Sequence, residues 1–261
     1  MGESPLVSVI TVSHGQEDLV VRLLASLEQF SRGHLHEVIL IENQPSRAGQ
    51  RYDSLSNIVR TYVNARPRGL AKNVNAGAGL ATGDYLCILN PDVYFAEDVF
   101  SDLLQDIQAG LGDIVAPLIV DGQGRIQDSA RHLPTPRELL ARRLVPKYRT
   151  IRDESQIPDR PEWIGGMFML MPLLVFRQLG GWDERFFLYF EDVDYCARAS
   201  LAGYRLYIDK RVRAVHEARR ASMRHPWYLW RHIVSAFRFF RSPTYRAARE
   251  PRSPGRTGEP R

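Results

Sequence analysis

The chain has 261 residues, of which 44% are hydrophobic and 25% charged. That content is enough to bury a sizeable core and excludes a wholly disordered chain. A net charge of +5 and a pI near 9.3 suit a phosphate-bearing ligand, an anionic membrane surface or nucleic acid, without choosing among them. The basic excess gathers from Arg205 onward. Cys87 and Cys196 have neither CxxC spacing nor a His cluster nearby, which predicts two reduced, buried thiols and a cytoplasmic setting. The first apolar run, residues 6–12, is too short for a signal-peptide core, and no stretch reaches bilayer-spanning length. The expectation is a soluble protein, or one touching a membrane from one side.

In chain order, residues 6–12 are short, apolar and β-branched, which predicts a buried strand. Leu19, Leu23 and Leu27 give residues 16–30 one apolar helical face. A strand over 37–41 ends in Glu42-Asn43. A short helix is expected over 52–56, a strand over 57–63, and a small-residue helix over 70–81 closed by Thr82-Gly83. The strand over 85–89 is halted by Asn90-Pro91. A helix over 99–107 and a strand over 113–119 follow. Residues 121–160 are less regular, with a hairpin turn at Gly122-Gln-Gly124. Residues 163–171 read as a strand with a glycine step. Helices are expected over 175–179 and 191–202, with short strands over 204–208 and 212–216.

Strands alternating with helices predict an α/β fold with a mostly parallel central sheet and helices on both faces. Ligands in such sheets sit beyond the carboxyl ends of the strands. Thr11, Ser13, Glu42, Asn43, Asn90 and Asp92 therefore share one expected crevice. An Asp held just past a strand end can bind Mg²⁺ or Mn²⁺ through oxygen, although Asn-Pro-Asp is equally common turn chemistry. His216, at a strand end, is either structural or completes a metal shell begun by Asp92. Arg68 and Lys72, in a small-residue segment, could meet phosphate, and Asn73 and Asn75 offer amides; the alternative is a helix packed close on the sheet. Walker A and GxGxxG spacings are missing, which argues against ATPase and Rossmann readings. Trp163 beside Gly165-Gly166 offers a flat platform for a sugar ring or a core contact.

Residues 186–198 put an aromatic run before Glu191, Asp192 and Asp194 at a helix start. Helix-dipole capping accounts for acids there, but three exceed what a cap needs. A carboxylate near an acceptor hydroxyl is the usual general base. Asp194 and Arg198 are spaced as an ion pair.

Taken together, these pieces resemble the inverting family 2 glycosyltransferases with the GT-A fold, most closely their rhamnosyltransferase-like branch, from Val7 to about His216. Val7-Ser-Val-Ile-Thr-Val-Ser13 is similar to the family's first nucleotide-binding strand. Glu42-Asn43 stands where the family usually has Asp-Asn. Asn75-Ala76-Gly77 looks like the end of its Asn-rich segment, Leu89-Asn-Pro-Asp-Val93 like its metal-binding DxD equivalent, and residues 186–198 like its Phe-x-x-Tyr-x-Glu-Asp-x-Asp signature. The resemblance implies Asp192 as catalytic base, Glu191 as acceptor-placing residue with Trp163, Gly165 and Gly166, and Asp92 with His216 on the metal. It implies nucleotide-sugar contacts at Thr11, Ser13, Glu42, Asn43, Arg68, Lys72, Asn75 and Asn90. The reaction implied is sugar transfer with inversion from a nucleoside-diphosphate sugar, dTDP-rhamnose first and UDP-sugars next, to a glycan or polyprenyl-diphosphate-linked acceptor in envelope polysaccharide synthesis. No nucleic acid partner is expected.

The expected organisation is a GT-A catalytic domain over 1–221, with a nucleotide-binding half to about 120 and an acceptor half beyond it. An aromatic and basic helical extension follows over 222–241, then a disordered tail over 242–261. The extension either lies on the inner face of the cytoplasmic membrane or packs on the domain. Two rival classes are a sugar nucleotidyltransferase, disfavoured because Ser13-His-Gly-Gln-Glu17 is short and not basic, and a non-catalytic glycan- or nucleic-acid-binding module.

Overall fold

The computed structural model describes residues 6–44, 57–145, 151–217 and 226–250. The expected helix over 52–56 lies outside them. Strand β1 (Val7–Ser13) is the centre of the first half. It pairs in parallel with β2 (Leu35–Glu42) on one side and β4 (Tyr85–Leu89) on the other, while β3 (Val59–Val63) extends β2 outward. Helix α1 (Glu17–Ser31) buries Leu19, Val20, Leu23, Leu24 and Leu27, the face its spacing predicts. Helix α2 (Leu70–Leu80) lies close on β1, because a Cβ on Gly77 would stand 2.8 Å from Ile10 Cγ2. The small-residue run of α2 is thus a packing requirement.

The second half departs from a parallel sheet. Strand β5 (Val93–Tyr94) and helix α3 (Phe100–Gln108) lead to β6 (Ile114–Val120), and residues 163–171 do not form one strand. They split at the two glycines into β8 (Trp163–Ile164), which pairs with β7 (Ala130–Arg131) in a separate two-stranded sheet, and β9 (Phe168–Pro172). Strand β9 enters the main sheet antiparallel, between β4 and β6. The short strands expected over 204–208 and 212–216 are one strand, β10 (Leu206–His216), irregular between Asp209 and Arg213. There the Asp209 carboxylate accepts the Arg211 N–H at 2.8 Å and holds the bulge within the strand. The order of the eight-stranded sheet is β3-β2-β1-β4-β9-β6-β10-β5.

Residues 121–125 form the expected turn, with Asp121 accepting N–H bonds from Gln123 and Arg125. The irregular middle also contains α4 (Pro136–Leu144), opened by a capping box in which Thr135 and Glu138 exchange side-chain to backbone bonds. Helices α5 (Leu173–Gln178) and α6 (Glu191–Leu201) complete the core. Beyond it, α7 (Pro226–Phe240) is followed by α8 (Pro243–Arg249), where a disordered tail was expected. Ser242 caps α8 through the Tyr245 N–H, and the Tyr245 ring packs 5.3 Å from Phe239 and 5.1 Å from Phe240. A helix cap and two ring contacts thus hold a polar segment whose composition alone suggested no order. Among the described residues, no helix is long and apolar enough to cross a membrane. Cys87 and Cys196 are free and buried.

Candidate active site

Ser13 and Glu42 sit opposite each other at the carboxyl ends of β1 and β2. Arg68 and Lys72 are exposed beside α2. The other residues expected on this side are differently employed. Thr11 is fully buried within the sheet. The Asn43 amide is spent on the chain itself: its Oδ1 accepts the Arg68 and Asn64 N–H groups at 2.7 and 2.9 Å, and its Nδ2 donates to Arg68 O at 2.9 Å. Asn75 likewise brackets Trp182, accepting its N–H and donating to its carbonyl, both at 2.8 Å. These asparagines fix loops around the crevice and have little bonding capacity left for a ligand.

Asp92 and His216 are brought together by strand pairing. Strand β5 lies antiparallel to β10 with Val93 opposite His216, and Asp92 O accepts the Glu217 N–H at 2.9 Å. His216 Nε2 consequently stands 3.3 Å from Asp92 Oδ1. The tautomer follows from Gln127, which the sequence reading missed. Its Nε2 donates to the His216 carbonyl at 2.6 Å, so its Oε1 is the atom 2.8 Å from His216 Nδ1. Nδ1 then carries a hydrogen, and in the neutral imidazole Nε2 presents its lone pair to Asp92. Asp92 Oδ1 is buried with no hydrogen-bond partner among the described residues. Two acceptors facing each other at this distance call for a proton or a cation between them. The donor set, one imidazole nitrogen and one carboxylate oxygen, with the imidazole oriented from behind, fits a divalent metal. Among the described residues no group of three or more such side chains is gathered, so the remaining positions of a metal shell fall to other donors.

The acid pair is set by the backbone before α6. Tyr189 and Phe190 are both left-handed, with φ of 69° and 68°. For bulky residues this costs on the order of 1–3 kcal/mol each. Phe190 is held in place by α7, packing against His232, Phe239 and Phe240, while the Ser235 hydroxyl donates to Leu188 O at 2.8 Å. The turn delivers Glu191 and Asp192 onto the glycine step. Asp192 Oδ2 accepts the Gly166 N–H at 3.0 Å, and its Oδ1 accepts the Val193 N–H at 2.8 Å. A Cβ on Gly166 would meet the Trp182 ring at 2.8 Å, so only glycine allows this approach. Trp163 carries Arg131 over its ring at 4.6 Å. Arg131, also missed from sequence, lends positive charge to the site. Asp194, by contrast, is tied to Arg198 at 2.8 Å, as its spacing predicted.

Burial raises both carboxyl pKa values, but unequally. Glu191 is driven well above the ordinary carboxylate range by burial and then by the charge of Asp192. For Asp192 burial also dominates, but the Gly166 and Val193 N–H groups, Trp163 and Arg131 all favour its charged form. The surroundings therefore favour the charged form at Asp192 more than at Glu191, where burial and the neighbouring carboxylate favour the neutral form.

The arrangement is that of an enzyme with the GT-A fold, an α/β crevice that faces a carboxylate pair. The sequence matches Glycosyl transferase family 2 over residues 8–171, and the chain belongs to that family. It is a glycosyltransferase of the rhamnosyltransferase-like kind, which sets aside the binding-module and nucleotidyltransferase alternatives. It is 28% identical to rhamnosyltransferase WbbL of Escherichia coli (strain K12), over 90% of this chain and 92% of that protein. It is also 28% identical to an N-acetylglucosaminyl-diphospho-decaprenol L-rhamnosyltransferase of Mycobacterium tuberculosis, over 75% of this chain and 71% of the relative. Among solved structures it is similar in fold to GalNAc-T7 with UDP, GalNAc and Mn²⁺ (TM-score 0.63, 22% identity, 82% of this chain and 44% of that one). The mannosyltransferase PcManGT from Pyrobaculum calidifontis, in complex with GDP-Man and Mn²⁺, aligns with a TM-score of 0.61 at 19% identity, over 90% of this chain and 65% of its own.

The raised Glu191 pKa has a stability consequence. Between the unfolded pKa, roughly 4.3, and the higher folded one, the folded state binds more protons, so stability falls as pH rises. Glu191→Gln removes that loss. Thermal unfolding should show the variant equal to wild type near pH 4 and increasingly more stable toward pH 8; a pH-independent difference would contradict the assignment.

Proposed function

We propose that this chain transfers a sugar, with dTDP-rhamnose the first expectation and UDP-sugars next, to a hydroxyl of a lipid-linked or other glycan acceptor in envelope polysaccharide synthesis, inverting the anomeric configuration. The observation that carries the reading is the unequal acid pair: Asp192, held by two N–H donors and favoured to ionise, beside a Glu191 favoured to stay neutral. The names of the E. coli and M. tuberculosis relatives support a rhamnosyl donor, and that of the latter supports a polyprenyl-diphosphate-linked acceptor.

In this reading Asp192 takes the proton of the acceptor hydroxyl. The hydroxyl oxygen bonds to the anomeric carbon as the bond to the donor diphosphate breaks on the opposite face. Glu191, protonated, donates a hydrogen bond that orients the acceptor, and Trp163 with the Gly165-Gly166 step supplies its floor. Ser13 and Glu42 address the nucleoside from the strand ends, with Arg68 and Lys72 on the diphosphate and Asn90 as a neutral neighbour. Asp92 and His216 would hold Mg²⁺ or Mn²⁺, which when bound neutralises charge on the leaving diphosphate. Replacing Asp192 by Asn should leave nucleotide affinity intact and lower transfer by roughly 10²–10⁴-fold. Radiolabelled-donor turnover within a few-fold of wild type would remove Asp192 as the base.

Gln127 orients the metal-side imidazole, and loss of such a partner typically costs about 10–100-fold in metal affinity. Gln127→Ala should weaken Mn²⁺ binding by that factor in EPR titration, while thermal stability without metal stays near wild type. Unchanged affinity would place the metal away from His216.

A peripheral position on the inner face of the cytoplasmic membrane is the proposed location. Helix α7 packs one face on the Phe190 turn and leaves Trp230, Ile233 and Phe237 exposed, without an acidic residue along its length. Apolar and cationic side chains on one helix suit an anionic bilayer surface. Because α7 also braces the active-site turn, its deletion is a poor test. W230S/F237S should reduce co-sedimentation with phosphatidylglycerol vesicles at least several-fold, and equal sedimentation would refute the contact.

A further inference from the structure

Between α4 and α7 runs a groove of about 1560 Å³, larger than the roughly 300–1,000 Å³ of a small-molecule pocket. Its inner end reaches the active site at His216, Arg131 and Tyr189. Part of its lining is apolar: Leu139 and Leu140 from α4, and Leu229 and Ile233 from α7. Leu140 is 60% exposed and Ile233 51%, and beyond the groove Leu144 is 70% exposed. Solvated aliphatic side chains on two facing helices form a patch that a soluble surface would not keep without an apolar occupant.

The inner wall is cationic. Arg131, Arg142 and Arg143 line it together with Asp128. Asp128 Oδ2 bonds both Arg131, at 3.0 Å, and Arg142. The carboxylate thus couples a guanidinium beside Asp192 to one on α4, the helix that also carries the exposed Leu140 and Leu144. The positive field is felt across the groove, where burial and then Arg143 and Arg131 depress the pKa of His232. The two other acids lining the groove are paired, Asp121 with Arg125, itself a lining residue, and Glu217 with Arg22. From the reaction centre outward the order is therefore catalytic carboxylate, guanidiniums, then aliphatic walls. A lipid-linked acceptor has the same order: sugar, doubly charged diphosphate, hydrocarbon.

We propose that this groove seats the diphosphate and first isoprene units of the acceptor, with the phosphates on Arg142 and Arg143 and the chain between Leu140 and Ile233. The assignment rests on the lipid-linked acceptor reading above and adds where and by which residues that acceptor is held. It separates two anion sites, one for the donor diphosphate beside Asp92, Arg68 and Lys72, the other for the acceptor on α4.

The test uses the full chain and farnesyl diphosphate as probe, without divalent metal and with nucleoside diphosphate present to occupy the donor site. Calorimetry or tryptophan quenching should show saturable binding. It should weaken at least tenfold in R142Q/R143Q and in L140S/I233S, with inorganic pyrophosphate and farnesol each binding at least tenfold more weakly than farnesyl diphosphate. Arg143→Glu, a single change at an exposed position, gives the same comparison should a double variant unfold. Wild-type-like binding in the variants, no saturable binding to wild type, or retention only by phosphatidylglycerol vesicles regardless of prenyl diphosphate would each overturn the proposal. Wild-type donor hydrolysis, measured separately with Mn²⁺, keeps the two readings apart. Its absence would count against the transferase chemistry and leave the groove result standing.

Discussion

The antiparallel entry of β9 between β4 and β6 is the constraint on which the site depends. At its start Leu89 pairs with Phe168, and the Asn90 N–H donates to Met167 O at 2.9 Å. One residue earlier, the Gly166 N–H donates to Asp192 at 3.0 Å. Three consecutive residues, 166 to 168, thus hold the turn that carries Asp92 on one side and the Asp192 carboxylate on the other. If β9 were displaced, the Asp92 turn and the Glu191-Asp192 turn would lose their common reference. The fixed geometry a displacement reaction needs would be lost with it.

Around that join, strain and charge are concentrated where chemistry is expected and offset elsewhere. Two left-handed aromatic residues precede the acid pair, a conformation kept only because α7 packs over Phe190. The pair itself is buried, which disfavours charge, yet backbone donors select one member to carry it. Two acceptors are pointed at each other at Asp92 and His216 by a strand register and a glutamine. Each is a local cost, and each is over-determined by contacts from more than one element.

Helix α7 illustrates how one element serves two environments. Its inner face closes the active-site turn, and its outer face, with α4, leaves a strip of aliphatic and aromatic side chains beside arginines. The two alternatives drawn from its composition, packing on the domain or meeting a membrane, are not exclusive. A helix has enough circumference for both, provided the apolar residues are divided between faces, as Ala236 and Phe239 are from Trp230, Ile233 and Phe237.

Much was legible in the sequence because it was local. Period-two and period-3.6 patterns fixed most strands and helices of the first half, the Asp194–Arg198 spacing gave its ion pair, and the clustering of Glu191 and Asp192 at a helix start marked the acid pair. Thr135-Pro-Arg-Glu138 is a capping box legible from its spacing alone. Tertiary structure alone decided the rest. A short apolar run does not reveal strand direction, so the antiparallel β9 could not be seen. Asn43 and Asn75 have the chemistry of ligand contacts, and only their partners, supplied by loops distant in sequence, turn them into braces. Gln127 and Arg131 carry no motif; they matter because chain crossings put them behind His216 and beside Asp192. Sequence sets which groups are available, since residue chemistry and local periodicity are properties of neighbours. Which of those groups face one another depends on pairings between segments dozens of residues apart, and that only the folded chain determines.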